Sequence, residues 1–256
     1  MPIPVKSRSA SKELATYVRQ RIHPLVILGL GVFTFLYSQA VSKLNVGSIV
    51  WFAFLIAFML VFRLYDDLLQ GPNDIGKPDR DYTEATTRKT LSCHLIILFV
   101  FLLIFAFFIS WYFACILFCF ITINHVFYVF WVNNKNAAGF LPLVKYPFIF
   151  VVQQLFDTSA SNPGAPLVFP AIALPIAFVA FESMEDTTFP IAEKYSSVLQ
   201  VLSFVILLIG KFNGTVFLVG AVLLSVSLAW GFLRAKPSPY LYLVFFLLFR
   251  LSVDNL

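Results

Sequence analysis

Long apolar runs separated by short polar segments fill most of this chain. Each run is bounded by charged residues, Pro, Gly or Asn, and a helix needs about 20 apolar residues to cross the hydrocarbon core of a bilayer. The pattern predicts nine membrane helices, near residues 24–41, 46–62, 95–110, 111–132, 140–156, 166–181, 195–210, 215–233 and 240–251. A tight turn at Ser110-Trp111-Tyr112 is expected to separate the third helix from the fourth.

The composition agrees with a membrane protein. Of the 256 residues, 60% are hydrophobic and only 12% are charged, and the mean hydropathy is +0.87. A soluble domain of this size cannot bury so much apolar surface. We therefore expect an all-α polytopic domain over residues 23–256, preceded by a basic cytoplasmic segment over residues 1–22. The three cysteines are expected to be buried packing thiols.

Charge placement predicts the orientation. If the N-terminus is cytoplasmic, all of the 18 Lys and Arg except Lys43, Lys211 and Arg250 fall on the cytoplasmic side, as the positive-inside rule requires. The C-terminus is then on the opposite side of the membrane. These cations are spread over short loops and form no basic stripe, so nucleic acid is not an expected partner.

The acidic residues gather in two loops that this topology puts on the cytoplasmic side. Ten of the 13 Asp and Glu follow the second and sixth helices, although acids contribute little to membrane topology. The first cluster contains Asp66, Asp67, Asp74, Asp79, Asp81 and Glu84, and the second contains Glu182, Glu185, Asp186 and Glu193. A requirement other than topology must keep them there.

The first cluster has the chemistry of a divalent-cation site. The second helix is expected to continue past the membrane until Gly71-Pro72 stops it, so that Asp66 and Asp67 lie at a helix C-terminus, where they oppose the helix dipole. A bound divalent ion would relieve this repulsion. Carboxylate oxygens and the Gln70 amide oxygen are hard ligands of the kind that Mg²⁺ takes, and a substrate phosphate can complete its shell.

The second cluster and several cations could complete a phosphate site. Glu182 and Asp186 are one helical turn apart and share a face. Lys145 lies inside the fifth apolar run, and its side chain either snorkels to the membrane surface or contacts a phosphate. The other available cations are Arg63, Lys77, Arg80 and Lys135.

This pattern resembles the UbiA superfamily of intramembrane prenyltransferases, and the resemblance covers essentially the whole chain. The family has nine helices, an Asn-Asp-x-x-Asp-x-x-x-Asp motif after the second and an Asp-x-x-x-Asp motif after the sixth. Asp66, Asp67, Gln70 and Asp74 stand at the four positions of the first motif, and Lys77-Pro78-Asp79-Arg80 follows it much as Asn-Pro-x-Arg-Pro does in the family. Glu182 and Asp186 match the second motif. Tyr128, Lys135 and Lys145 look like positions that the family fills with Tyr and Lys. Gln70 and Glu182 depart from the family, which has Asp at both positions.

The resemblance implies a helical bundle around a central cavity and a Mg²⁺-dependent transfer of a prenyl group from a prenyl diphosphate to a lipophilic acceptor, which is expected to be aromatic. Asp67, Asp74 and Asp186 would be catalytic. The implied metal ligands are Asp66, Asp67, Gln70, Asp74, Glu182 and Asp186, and the implied diphosphate contacts are Arg63, Lys77, Arg80, Tyr128, Lys135 and Lys145.

Two other functions stay open at this point. A terpene cyclase on the same scaffold would use the prenyl diphosphate without an acceptor. A transporter or structural membrane protein would carry the acids only as solvated loop residues, and it should show polar groups near the bilayer midplane. Asn124 and His125 are the clear polar residues inside an apolar run.

Overall fold

The computed structural model describes residues 10–38, 46–74, 85–134, 139–156, 168–185, 189–210, 213–233 and 238–255. These residues form helices and turns, with no strand among them. The α-helices are α1 (Ala10–Arg21), α2 (Pro24–Ser38), α3 (Val46–Asp74), α4 (Ala85–Ile109), α5 (Trp111–Trp131), α6 (Lys145–Phe156), α7 (Val168–Glu185), α8 (Ser196–Gly210), α9 (Gly214–Leu233) and α10 (Pro239–Asn255). Short 3-10 turns at Leu141–Val144 and Glu193–Tyr195 precede α6 and α8.

Each of the nine apolar runs overlaps one of the helices α2 to α10, although α3 extends 12 residues past its run and α4 begins 10 residues before its run. Nine membrane crossings are not confirmed. In the described part of the chain, five helices are long and apolar enough to cross a membrane, namely α3, α4, α5, α7 and α8 with the turn before it. A sixth is gained if α1 and α2, which meet at 67°, count as one broken span. The remaining apolar stretches, Leu141–Gln153, Gly214–Trp230 and Pro239–Val253, have 17 residues or fewer. Helix α6 has 12 residues, which at 1.5 Å per residue is about 18 Å and less than the core of a bilayer. The chain is an integral membrane protein.

Two details of the sequence prediction are wrong. The second apolar helix does not stop before Gly71-Pro72, because α3 continues to Asp74. Pro72 lies in the last turn, where its missing N–H removes only one bond of the helical ladder. The cysteines are not buried, since Cys93, Cys115 and Cys119 are all exposed on the protein surface. Outward positions on membrane helices are as apolar as the core, and hydropathy therefore does not separate the two.

The chain divides into two compact units that alternate along the sequence. Unit 1 comprises Met1–Gly31 and Ala53–Thr122. Its core follows one face of α3, where Phe54, Phe58 and Phe62 recur every four residues and are almost fully buried. Phe54 meets Phe113 of α5 with the ring centroids 4.8 Å apart, and Phe62 meets Phe99 of α4 at 5.6 Å. Helix α1 packs against α4.

Unit 2 comprises Val32–Phe52 and Ile123–Leu256. Its centre is α7, which packs against α6, α8 and α10. Tyr146 of α6 stacks on Phe178 of α7 with the ring centroids 3.5 Å apart. At Gly220 of α9, a Cβ atom would lie 2.6 Å from the ring of Phe249 on α10. A side chain at this position would therefore force the two helices apart, which is a common reason for glycine between membrane helices.

Candidate functional site

Two adjacent buried carboxylates, Asp66 and Asp67, lie about two turns before the end of α3. Asp66 is 4% exposed and Asp67 is 5% exposed, and their neighbours Leu64, Tyr65 and Leu68 are buried as well. All sides of this helical turn are therefore covered by protein. Ionised groups are rarely buried to this degree unless they are paired or bind an ion, so this turn is the strongest candidate site in unit 1.

Helix α1 supplies the partners of Asp67. The Tyr17 hydroxyl donates to Asp67 Oδ2 at 2.9 Å. Arg21 donates from Nε to Oδ2 at 3.0 Å and from Nη2 to Oδ1 at 2.8 Å. This two-pronged pairing is the strong, geometrically specific form of an Arg–carboxylate interaction. Because Tyr17 and Arg21 are one helical turn apart, a single face of α1 makes all three bonds.

The guanidinium of Arg63 is a second cation beside the Arg21–Asp67 ion pair. Arg63, one turn before Asp67 on α3, has its Nε 3.5 Å from Asp67 Oδ2, and its side chain is 39% exposed. The formal charges of Arg21 and Arg63 balance those of Asp66 and Asp67. Asp66 and Asp67 are eight and seven residues before the end of α3, so the prediction that they lie at a helix C-terminus is wrong, and the helix dipole acts only weakly on them. The protein's own cations balance the charge of Asp67.

The Tyr17 hydroxyl is held in its protonated form. Burial is the main reason why its pKa lies far above the usual value for tyrosine, and the negative charge of Asp67 and the hydrogen bond to it add to the shift. The hydroxyl is therefore a donor at any physiological pH. Tyr17 and Arg21 were not among the predicted site residues. The signal available in the sequence was the four-residue spacing of Glu13, Tyr17 and Arg21, which puts these three side chains on one face of α1.

The rest of the first motif is only partly described. Gln70 and Asp74 lie in the last turns of α3, and their side chains are outside the described part of the structure. Lys77 and Arg80 fall in residues 75–84, which are also outside it. The structure therefore brings together Asp66, Asp67 and Arg63 of the predicted set and adds Tyr17 and Arg21 to them.

Unit 2 contains the second motif at the end of α7. Glu182 lies in the last turn and is half-buried, whereas Glu185 in the same turn is exposed. The Tyr240 hydroxyl of α10 donates to Glu185 Oε1 at 3.4 Å. Asp186 follows the last residue of α7 and lies outside the described residues.

Unit 2 also contains two of the predicted diphosphate contacts. Lys145 opens α6 and is only 8% exposed, so its side chain does not snorkel to the surface. Its Nζ lies 5.6 Å from the ring centroid of Tyr146. Tyr128, near the end of α5, is fully buried. Lys135 lies outside the described residues.

The donor types present fit Mg²⁺. In unit 1, Asp66 and Asp67 offer hard carboxylate oxygens of the kind this ion takes, and both are more than nine-tenths buried. In unit 2, Glu182 offers an oxygen of the same kind and is half-buried. No cluster of three or more His, Cys, Asp or Glu occurs within the described residues, and three predicted ligands, Gln70, Asp74 and Asp186, have side chains beyond them. Asp67 would have to exchange its Arg21 contacts for the metal.

No family model matches the sequence, and no curated protein matches it. A solved structure does match: digeranylgeranylglyceryl phosphate synthase in membranes, with a TM-score of 0.55 at 15% identity over 94% of this chain and 99% of that one. That protein is a UbiA-superfamily intramembrane prenyltransferase. The resemblance predicted from the two acidic motifs is thereby confirmed at the level of the fold, and the chain has the fold of the UbiA-type intramembrane prenyltransferases.

Proposed function

We propose that this protein is an intramembrane prenyltransferase, which moves a prenyl group from a prenyl diphosphate to a lipophilic acceptor. The observation that carries the proposal is the buried pair Asp66 and Asp67 near the end of α3. The pair stands at the first-motif position in a chain that has the UbiA-type fold. Buried carboxylates can bind a divalent metal ion, and guanidinium groups beside them can bind the oxygens of a diphosphate.

Magnesium is part of this proposal. Bound Mg²⁺ would neutralise the diphosphate and so make it a better leaving group. The residues that would hold it form two sets near the ends of α3 and α7. The first set is Asp66, Asp67, Gln70 and Asp74, and the second is Glu182 and Asp186.

Cations of this chain would bind the diphosphate oxygens. Lys145 is the best supported of them, because it is a cation buried at the start of a membrane helix, and an ionisable residue at such a position is a candidate for function. Arg63 is more exposed and would bind from the rim of the site. Tyr128, Lys77, Arg80 and Lys135 complete the proposed set.

Aromatic side chains in unit 2 would keep the reaction dry. Tyr146, the residue after Lys145, stacks on Phe178, one turn before Glu182, with the ring centroids 3.5 Å apart. Aromatic faces attract a cation, and exclusion of water protects a reactive intermediate from hydrolysis. An allylic cation that forms as the diphosphate leaves would benefit from both effects.

An acceptor-dependence assay tests the proposal. The purified protein in nanodiscs is incubated with a radiolabelled prenyl diphosphate and Mg²⁺, with and without candidate lipophilic acceptors. We expect a prenylated product that forms only with an acceptor. Equal diphosphate release and a hydrocarbon product without acceptor would instead establish a cyclase, and no diphosphate release under any condition would contradict prenyl chemistry altogether.

Two glutamates of the same helical turn provide a matched pair of variants. Glu182→Gln removes a proposed ligand, and we expect the rate to fall by about 100-fold, as for loss of one stabilising group in a polar site. Glu185→Gln changes an exposed residue in the same turn, and we expect a rate within about twofold of wild type. Equal effects of the two changes would contradict the role given to Glu182.

A further inference from the structure

One face of α1 covers Asp67 of α3. The Tyr17 hydroxyl donates to Oδ2 at 2.9 Å, and Arg21 donates to Oδ2 from Nε at 3.0 Å and to Oδ1 from Nη2 at 2.8 Å. The Nε atom of Arg63 lies 3.5 Å from Oδ2, and Asp67 is only 5% exposed. Both carboxylate oxygens are therefore bonded to donors of the protein itself. We call this position of α1 the docked position.

A divalent cation and Arg21 compete for the same two oxygens. A metal ion binds a carboxylate through the lone pairs that also accept hydrogen bonds, and Mg²⁺ approaches its oxygen ligands to about 2.1 Å. A guanidinium group that donates to both oxygens occupies the space in front of the carboxylate, and its charge repels a cation. Arg21 must therefore move away before a metal ion can bind to Asp67.

The structure of α1 allows it to move away together with Arg21. The helix has 12 residues, and an isolated helix of this length is marginal in water. Ile22 and His23 separate it from α2, which it meets at 67°, and changes in backbone angles at such a break can move a helix as a unit. Among the described side chains of α1, Glu13 and Tyr17 are the buried ones, so little apolar surface holds the helix in place.

Glu13 opposes the docked position. It lies one helical turn before Tyr17 on the same face, is 9% exposed, and has no hydrogen bond to its Oε2 within the described residues. Burial of a carboxylate oxygen without a donor costs free energy. The face that docks on Asp67 thus combines three favourable bonds with one unfavourable group. Such opposing contributions are expected in a contact that the protein has to break.

We propose that α1 is an autoinhibitory latch. With α1 docked, the guanidinium of Arg21 takes the place of the metal ion at Asp67, and binding of a divalent cation there requires that α1 be released. This inference rests on the proposed function, because it concerns the regulation of the same first-motif site. The apparent dissociation constant of the metal then equals its intrinsic value divided by the released fraction, so Tyr17, Arg21 and Glu13 set the cation concentration at which the site fills.

Hydrogen exchange of the wild-type protein tests the release without any substitution. Exchange over residues 10–21 is followed by mass spectrometry in phosphatidylcholine nanodiscs, with EDTA or with rising MgCl₂. We expect Mg²⁺ to speed the exchange of α1, because a released helix loses its packing and frays. Asp67→Asn should abolish this response to Mg²⁺. Exchange that stays unchanged or becomes slower while Mg²⁺ is bound at Asp67 would overturn the proposal.

Two variants should shift metal affinity in opposite directions. The probe is Mn²⁺, which prefers the same oxygen ligands as Mg²⁺, and its free concentration is measured by EPR; the Mn²⁺ that Asp67→Asn fails to bind is assigned to the first motif. Tyr17→Phe weakens docking, and we expect Mn²⁺ to bind about tenfold more tightly, the worth of one hydrogen bond to a carboxylate. Glu13→Met removes the unfavourable group, and we expect Mn²⁺ to bind about fivefold more weakly.

The opposite signs exclude simpler explanations. Tyr17→Phe changes no charge, and if the hydroxyl only positioned Asp67 for the metal, its loss would weaken Mn²⁺ binding. Glu13 is eight residues from Arg21, about 12 Å along the helix, which exceeds the screening length of about 8 Å at physiological salt. A direct attraction between Glu13 and the metal would therefore be small.

Two arginines of α1 provide a matched control. Arg21→Met removes the guanidinium from Asp67, and we expect Mn²⁺ to bind at least about tenfold more tightly. Arg19→Met removes the same charge from an exposed position of the same helix, and the affinity should stay within about twofold of wild type. Equal effects of the two changes would show that only the net charge of α1 matters, and would overturn the latch.

The outcomes separate the latch from the proposed function. If Mn²⁺ binds at Asp67 with the same affinity in wild type, Tyr17→Phe and Glu13→Met, the latch is refuted and the metal site stands. If the variants shift the affinity as expected but no diphosphate is released in the acceptor-dependence assay, the latch stands and prenyl transfer is refuted. If none of the proteins binds Mn²⁺ at Asp67, both the latch and the metal part of the proposed function are refuted.

Discussion

Asp67 in unit 1 and Gln153 in unit 2 are buried to nearly the same degree, but their hydrogen bonding is opposite. Asp67 accepts from Tyr17 and from two nitrogens of Arg21, whereas neither polar atom of Gln153 has a partner within the described residues. A charge does not by itself indicate a missing partner, since the charged residue is the one whose hydrogen bonds are made. The difference shows that burial alone does not identify a binding residue.

The comparison indicates different roles for Asp67 in unit 1 and for the buried amides in unit 2. In unit 1 the protein itself supplies the cation for Asp67, so this pairing fixes α1 against the end of α3 before any substrate binds. In unit 2 the amides of Asn124 and Gln153 have atoms without partners within the described residues, so replacing them with apolar side chains breaks no existing bond at those atoms. Variants that break existing bonds should therefore lower stability, whereas Gln153→Met should not.

The largest effect on stability is expected from Arg21→Met. The change leaves the Asp67 carboxylate buried without its main partner, and loss of one member of a buried ion pair typically costs about 3–5 kcal/mol. Unfolding by SDS titration, followed by circular dichroism, measures this free energy. The double variant Arg21→Met/Asp67→Leu should recover most of the loss, because it leaves no charge unpaired. Wild-type stability of Arg21→Met would contradict the proposed role of α1.

A smaller effect is expected from Tyr17→Phe. The ring and its packing remain, but one hydrogen bond to an ionised carboxylate is lost, which is worth about 1.5–3 kcal/mol. The same SDS titration measures it. The loss should nearly vanish in an Asp67→Leu background, where the hydroxyl has no carboxylate to bond. An equal loss in both backgrounds would show that Tyr17 acts through packing alone.

The smallest effect is expected from Tyr242→Phe in unit 2. Tyr242 and Ser203 share a hydrogen bond of 2.8 Å between buried hydroxyls of α10 and α8. Bonds between membrane helices average about 0.6 kcal/mol, so we expect the free energy of unfolding to fall by this amount in the same SDS titration. A loss well above about 1.7 kcal/mol, the largest value found for such bonds, would show that Tyr242 stabilises the protein by more than this hydrogen bond.

The sequence predicted what depends on local patterns. Hydropathy located all nine apolar helices, and most of the predicted helix ends are within about one turn of the observed ends. Four-residue spacing identified the acids near the ends of α3 and α7. It did not predict the pairing of Arg21 with Asp67, because 46 residues separate them and no local pattern encodes which distant helix a face meets. Arg21 was counted only as a cytoplasmic positive charge.

Depth and burial were harder to predict from the sequence. Hydropathy could not distinguish a lipid-facing position from a core position, so the cysteines were wrongly expected to be buried. It also could not determine which apolar helices are long enough to cross a bilayer. Asn124 was noticed because a polar residue inside an apolar run is visible in the sequence. Gln153 was not, because Gln153-Gln154 lies close to the end of its run and resembles an ordinary polar boundary.

The central claim is that the acids near the ends of α3 and α7 bind a prenyl diphosphate through a divalent cation. Equilibrium binding of a non-hydrolysable prenyl thiolodiphosphate to the purified protein tests it most directly, with Mg²⁺ or with EDTA. We predict binding that requires Mg²⁺ and that Glu182→Gln weakens by at least about tenfold, while Glu185→Gln leaves it unchanged. Binding of the same strength in EDTA, or no binding with Mg²⁺, would contradict the claim.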